Sequence, residues 1–492
     1  MHSIFKVTTN EIQSLNDTQA RELISRLCRA EVRNKGLSES FVTWGGDQRA
    51  KDGGVDVRVD LPKLESTDYI PKSSVIFQVK AENFGVSKIP GEMAPKGIIR
   101  DSIQELGKKK GAYIIACTRE TLSDSSLKNR KKAMLECLTK HGLNKTIEYD
   151  FYDNRKIADW VEQHPAVLFW LRSTLNKPIV GWQPYAPWAY KENDIEAEYL
   201  LDDKVKVYVP NNDEGLAITN AIEQIRSELR KNVSIRIVGL SGVGKTRLVQ
   251  ALFDKRIGKD SLNSENVIYT DLADDPTPQP SSMTEALIAT GSDCVLIVDN
   301  CGSDTHTRLT EIVKKPNSYI RLITIEYDIR DDLPEDTLCY RLEGSSESVI
   351  KQLLRLKYPN LSDSDIDKIT EFSDGNARLA FALASSSETK GELAQLKDED
   401  LFRRMFQQKY VENDGLLRTA EVASLLYSFD FKDITNTSEL ALLAKLADLS
   451  IPEFSRNVFE LKKRGLVQER GQWRAVLPHG ISNRLALRAV MV

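Results

Sequence analysis

Leu23, Leu27 and Glu31 recur at i, i+4 and i+8, with Ile24 and Cys28 beside them, so residues 17–35 are predicted to form an amphipathic helix with Glu31 on its buried stripe. Short strand-like segments follow at 55–59, 75–80 and 112–117, separated by Gly, Pro and charged loops. A second amphipathic helix is expected over 123–141, with Leu127, Met134 and Leu138 on one face. These elements make a small α/β domain ending near residue 175. Pro178, Pro184 and Pro187, interleaved with Trp182, Tyr185 and Trp188, then read as a connector that packs on a neighbour rather than flexing freely. Beyond it come a helix at 217–229, an apolar strand at 234–238, a glycine-rich loop and a helix at 247–253. Further apolar strands at 294–299 and 319–325 imply a parallel sheet covered on both faces. From about residue 344 strand signals fade and helices dominate. The fold class is thus α/β multidomain, divided at 1–175, 176–204, 205–343, 344–412 and 413–492.

Composition changes this picture little. At 492 residues, roughly three or four domains are expected. With 41% hydrophobic and 28% charged residues and no long apolar run, the chain reads as a soluble protein without a membrane partner. The start, Met1-His2-Ser3-Ile4-Phe5-Lys6, has no signal-peptide pattern, which places the protein in the cytoplasm with reduced thiols. Its six cysteines contain no Cys-x-x-Cys pair, arguing against a zinc or disulfide framework. The net charge of −4 leaves any nucleic-acid surface to local clusters, such as Lys108-Lys109-Lys110 and Lys128, Arg130, Lys131 and Lys132.

The strongest chemical signal is Gly239-Leu240-Ser241-Gly242-Val243-Gly244-Lys245-Thr246, a full match to G-x-x-x-x-G-K-[ST] between a strand and a helix. Gly239, Gly242 and Gly244 let the backbone N–H groups, including those of Ser241 and Val243, curl round phosphates, and Arg247 follows in the helix. Lys245 supplies a point charge to the outer phosphates, and the Thr246 hydroxyl is placed to ligate Mg²⁺. Val295-Leu296-Ile297-Val298-Asp299 is an apolar strand ending in a carboxylate, so Asp299 is expected to hold the same Mg²⁺, directly or through water. Asn300 stands where many hydrolytic motors carry a second acid, which favours a slow switch over continuous hydrolysis.

A second constellation lies near the N-terminus. Asp52-Gly53-Gly54-Val55-Asp56-Val57 enters one strand, and Phe77-Gln78-Val79-Lys80 occupies the next. Asp56 can hold Mg²⁺, and Gln78 and the Val79 carbonyl can complete an oxygen shell. Lys80 can orient water or stabilise a pentavalent phosphate, and Glu31 is a further available carboxylate. Alternation puts Gln78 and Lys80 on one strand face. The same residues also read as a buried salt bridge or as an ordinary hairpin.

These motifs resemble known families. Gly53-Gly54-Val55-Asp56-Val57 with Phe77-Gln78-Val79-Lys80 resembles the PD-(D/E)xK nuclease fold in its Mrr-like branch, over roughly residues 10–170. That resemblance implies Asp56 and Lys80 as active-site residues, with Gln78 where many members carry an acid, and DNA backbone along Lys108–Lys132. From about residue 205 onward the chain resembles a STAND NTPase, a signalling ATPase in which a helical segment and a winged helix follow the nucleotide domain. Residues 416–429, 438–446, 451–464 and 466–476 resemble that winged helix, and Pro478-His479-Gly480 falls where a family histidine contacts nucleotide. Asp374-Gly375-Asn376-Ala377-Arg378-Leu379 is similar to the family's Gly-x-Pro element, with Ala377 replacing proline. Leu322-Ile323-Thr324-Ile325 resembles a sensor strand whose polar reader is either Thr324 or Arg330.

A nuclease followed by a STAND module resembles the bacterial Avs antiviral proteins. The resemblance implies ATP and Mg²⁺ as cofactors, a phage protein as trigger, a homo-oligomer of tetrameric kind, and double-stranded DNA as substrate. It also implies an array of sensor repeats, expected outside this sequence. The phosphate loop alone does not separate ATP from GTP. Two other functions are compatible with the residues: an NTP-dependent restriction endonuclease, and a non-catalytic STAND regulator that binds DNA or a partner.

Overall fold

The computed structural model describes residues 3–45, 55–62, 66–190, 199–209, 212–231, 234–240, 242–326, 337–387, 414–464, 466–470, 472–476 and 479–491. The N-terminal part is built on a five-stranded sheet in sequential order: β1 (Val42–Trp44), β2 (Val57–Asp60), β3 (Ser74–Lys80), β4 (Ala112–Cys117) and β5 (Glu148–Tyr152). The pairs β1/β2 and β2/β3 run antiparallel, whereas β3/β4 and β4/β5 run parallel. Strand alternation separates two cores. Val75, Phe77 and Val79 join Leu23, Ile24 and Leu27 of the helix Asp17–Asn34, and Ile76 joins Met93, Ile103 and Met134 on the opposite face. The helix Asp17–Asn34 is started by Asn16 and Gln19, whose side chains each accept from the other's backbone N–H.

The 176–204 stretch contains β6 (Trp182–Pro184), which adds antiparallel to the edge of a second sheet. That sheet also holds β7 (Lys206–Val209), β8 (Asn212–Ala217), β9 (Ile235–Val238), β10 (Val267–Asp271), β11 (Asp293–Asp299), β12 (Tyr319–Ile325) and β13 (Leu338–Leu342). Its order is β6-β10-β11-β12-β9-β13-β7-β8, and the run from β10 to β13 is parallel. Helices cover both faces, as the near-continuous apolar strands require. Apolar packing is continuous between the two sheets: Val167, Phe169 and Leu171 of the helix Pro165–Thr174 share a cluster with Ile268, Leu296 and Val298. Polar contacts reinforce this joint, with Arg26 bonded to both oxygens of Glu265 at 2.8 and 3.0 Å, Asn266 donating to Asn34, and Lys255 paired with Glu39.

The remaining residues form helices Glu347–Lys357, Asp363–Ser373, Ala377–Ser387, Asp414–Ala423, Glu439–Leu446, Ile451–Lys463 and His479–Met491. They accompany a small antiparallel sheet, in the order β14 (Phe429–Asp430), β16 (Trp473–Val476), β15 (Val467–Arg470). Within 416–429 the helix ends at Ala423, and Phe429 is buried against Phe454 with its backbone paired to Arg474. The 466–476 stretch is a hairpin of two strands in which Arg470 opposes Trp473.

One buried histidine makes stability depend on pH. His306 is fully buried, with Nδ1 2.7 Å from the Thr324 hydroxyl and Nε2 3.1 Å from that of Thr337. Burial, assisted by the Arg236 charge, lowers its pKa to about 4. The unfolded chain binds this proton first, so the stabilisation is full above the ordinary histidine pKa of about 6.5 and is lost as pH falls toward 4, by about 3 kcal/mol in all. Thermal midpoints measured across that window are expected to fall less steeply in His306→Asn than in wild type; equal slopes would remove His306 as the cause.

Candidate nucleotide site and candidate nuclease site

The glycine-rich loop lies between β9 and the helix Lys245–Ala251. Gly239, Gly242 and Gly244 have φ of 144°, 87° and 102°, values that disfavour any side chain. At Gly242 the constraint is also steric: an added Cβ would lie 2.5 Å from Asn376 Oδ1 and 2.8 Å from Arg378 Cβ. The segment Asn376-Ala377-Arg378 therefore closes directly over the loop, and the Ala377 N–H donates to the Gly242 carbonyl at 3.2 Å. Asn376 Oδ1 accepts from the Leu379 N–H and so starts the helix Ala377–Ser387. Gly242→Ala is expected to add strain of about 1–3 kcal/mol and to weaken nucleotide binding about tenfold or more. Titration with a fluorescent nucleotide checks this, and unchanged affinity would show that the contact is dispensable.

Lys245 is buried, and its Nζ donates to the carbonyls of Gly239 and Leu240, each at 2.8 Å. Thr246 Oγ1 donates to Asp299 Oδ2 at 2.8 Å, and the Tyr269 hydroxyl donates to the same oxygen at 3.3 Å. Burial and the neighbouring charge of Asp271 raise the Asp299 pKa to about 6, against the opposing Thr246 and Asn300 hydrogen bonds and the Lys245 charge. A buried carboxylate beside a hydroxyl, with excess negative charge, fits Mg²⁺, whose charge would offset both penalties. When bound there, the ion neutralises charge on the outer phosphates.

Val243, Gly244 and Arg247 also border a largely apolar cleft of about 860 Å³, whose other walls include Ile218, Val349 and Phe381. Its size and lining suit a nucleoside. Arg247 lies over the Tyr199 ring at 3.9 Å. Ser241 and Arg330 lie outside the described residues, as does the side chain of His479. Thr324, the other sensor alternative, is bonded to His306.

Asp271 and Gln468, which the sequence did not single out, complete the site around Asn300. Asp271 ends β10 in register with Asp299. Asn300, at φ 53°, donates its side-chain amide to Asp271 Oδ1 at 2.6 Å, and Gln468 of β15 donates to Asn300 Oδ1. Arg378 is held below the usual guanidinium range by burial, against the opposing charges of Asp299 and Asp271. Asp271 was findable, since Val267-Ile268-Tyr269-Thr270-Asp271 repeats the apolar-strand-then-acid pattern of β11. Gln468 carries no such signal.

In the N-terminal domain, Asp56, Gln78 and Val79 come together, and Lys80 follows at the end of the same strand as Gln78. Asp56 is buried, and its Oδ2 accepts from Gln78 Nε2 at 2.6 Å and from the Val79 N–H at 2.7 Å. Arg21 Nε stands 3.1 Å from Asp56 Oδ1. Lys80 Nζ is paired at 2.7 Å with Glu92, which Arg100 also holds at 2.9 Å. Glu31 does not join them: its Oε1 accepts from Trp160 Nε1 at 2.9 Å and lies 3.1 Å from His164 Nε2. The reason is distance along one helix, because ten residues separate Arg21 from Glu31, about 15 Å of rise. Burial raises the Glu31 pKa, but its bonds to His164, Trp160 and Thr67 bring it below the usual range.

Among the described residues no group of three or more His, Cys, Asp or Glu is arranged to hold a metal. The oxygen set expected here is different. Gln78 Oε1 is buried without a hydrogen-bond partner, and the Val79 carbonyl lies on the same strand edge as the N–H that reaches Asp56. Asp56 with these two oxygens fits one hard cation, provided Arg21 or the Gln78 amide gives way. The stretch expected to carry DNA is largely self-neutralised. Lys109 pairs with Asp60, Lys128 with Asp124, Lys131 with Asp150, and Arg130 is buried on Glu120.

No protein-family model and no curated protein match the chain. Among solved structures it is similar to a STAND protein with a tetratricopeptide repeat sensor from Pyrococcus horikoshii, at 14% identity and TM-score 0.30, over 60% of this chain and 47% of that one. This chain thus spans about half that protein's length. It is also similar to a Walker-type ATPase of Pyrococcus abyssi, at 11% identity and TM-score 0.27, over 54% of this chain and 94% of that one. A third similar structure is an AAA domain in complex with ADP, at 13% identity and TM-score 0.24, over 42% and 87% of the two chains. On the phosphate-loop motif, its strand and helix setting and the Thr246–Asp299 pair, the part of the chain from Lys206 to Leu342 has a P-loop nucleotide-binding fold.

Proposed function

We propose that this protein is a STAND-type ATPase whose nucleotide state controls a Mg²⁺-dependent DNA endonuclease carried by the Mrr-like N-terminal domain. The observation that carries this reading is the convergence of Asp56, Gln78 and Lys80 on one end of a sheet whose domain is packed and ion-paired onto the nucleotide-binding sheet. In that reading the division at residues 175, 204, 343 and 412 separates nuclease, connector, NTPase, helical and winged-helix parts. ATP and a phage-protein trigger drive assembly into a tetramer in the cytoplasm, which raises the local concentration of nuclease domains on duplex DNA. Ser241 and His479 contact the nucleotide.

The alternative of a non-catalytic regulator is favoured by one observation: Arg21 and Glu92 already occupy the charged partners a nuclease would need, Asp56 and Lys80. Plasmid DNA incubated with Mg²⁺, ATP and a lysate of infected cells separates the two. Cutting that stops on chelation of Mg²⁺ or omission of ATP supports the switched nuclease. Assembly of the protein without any cutting supports the regulator, and many ATP molecules hydrolysed per cut would indicate a translocating restriction enzyme.

A further inference from the structure

We infer that Asp271 is the general base for nucleotide hydrolysis, supplying the carboxylate that Asn300 does not. The inference rests on nucleotide binding at the Gly239–Thr246 loop. Asp271 and Asp299 end adjacent parallel strands in register, so Asp271 stands beside the carboxylate that touches Thr246, at the carboxyl edge of the sheet where ligands of such folds bind. Its two hydrogen bonds, from the Ala273 N–H at 2.8 Å and the Asn300 amide at 2.6 Å, both fall on Oδ1. The other oxygen, Oδ2, is left to act, on a half-exposed residue that water can reach.

Asn300 has a definite part in this arrangement. Gln468 donates to its Oδ1, which fixes the amide so that its N–H₂ faces Asp271. Asn300, a neutral residue where a second acid would be expected, thus becomes the support of an acid on the neighbouring strand. Arg378 places positive charge near the same two carboxylates.

Asp271 Oδ2 takes one proton from water as the water oxygen bonds to the γ-phosphorus. The bond from that phosphorus to the bridging oxygen breaks, its electron pair staying on the nucleoside diphosphate. The proton then passes from Asp271 to the released phosphate.

Asp271→Asn tests this cleanly, because asparagine keeps an Oδ1 that can accept both hydrogen bonds and loses only the basic oxygen. With the full chain and MgATP, phosphate release is expected to fall about 100-fold, while the affinity for a fluorescent ATP analogue and the thermal midpoint stay near wild type. Asp271→Glu is expected to restore part of the rate. Release within about threefold of wild type in Asp271→Asn, or a wild type that binds the analogue and never hydrolyses ATP, overturns the proposal. Binding by Lys245→Ala as tight as wild type would instead overturn the underlying nucleotide site.

Discussion

Lys245→Ala is expected to abolish nucleotide binding at accessible concentrations. Its ammonium is buried and held by the Gly239 and Leu240 carbonyls, so it is already placed at the mouth of the loop before any phosphate arrives. A unit charge about 4 Å from a phosphate oxygen contributes about 4 kcal/mol at the screening typical of a partly exposed site, which corresponds to roughly a thousandfold in affinity. Leu240 is exposed, and the Gly239 carbonyl loses a single hydrogen bond, so the fold should survive. Titration of wild type and variant with a fluorescent ATP analogue measures the loss directly. Affinity reduced less than about tenfold would mean that the phosphates lie elsewhere.

The second large effect is expected from Lys80→Ala on DNA cleavage, a fall on the order of a thousandfold, the scale for removing one charge that stabilises the transition state. Lys80 and Glu92 form a pair in which both side chains are mostly buried, at 17% and 14% exposure. Removing one member of such a pair usually destabilises the fold as well, because a charge is left without its partner. Here Arg100 still holds Glu92 at 2.9 Å, which limits that cost. Thermal midpoints and ATP binding of the variant should therefore stay close to wild type while cutting disappears. Cutting that survives Lys80→Ala removes the nuclease assignment from this lysine; loss of cutting together with loss of ATP binding would point to unfolding instead.

The two sites were legible to different depths. Gly239 to Thr246 is a local signal: phosphate binding here uses the backbone of one contiguous loop and the first turn of one helix, so the sequence carries nearly all of it. Asp299 was legible because a buried strand ending in an acid is also a local pattern. The acidic neighbour Asp271 has the same local pattern, yet its place beside Asp299 follows from strand pairing across the sheet. Strand alternation put Gln78 and Lys80 on one face, whereas the place of Asp56 beside Gln78 follows from the pairing of two strands. Glu31 was misplaced because helical periodicity gives the face of a helix and not which end of it meets the site.

By itself, then, the sequence determined most of the elements, the phosphate loop and the shared strand face of Gln78 and Lys80, since each depends on spacing within one short segment. Only the tertiary structure decided which charges meet. Arg21 reaches Asp56 and Glu92 reaches Lys80 from separate helices, Arg378 and Gln468 approach Asp299 and Asn300 from the C-terminal part, and Arg26 joins Glu265 across two sheets. These contacts span long chain separations and leave no periodic mark. They are fixed instead by how the apolar faces of the two sheets and their helices pack, because burying those faces sets the positions from which the polar side chains must find partners.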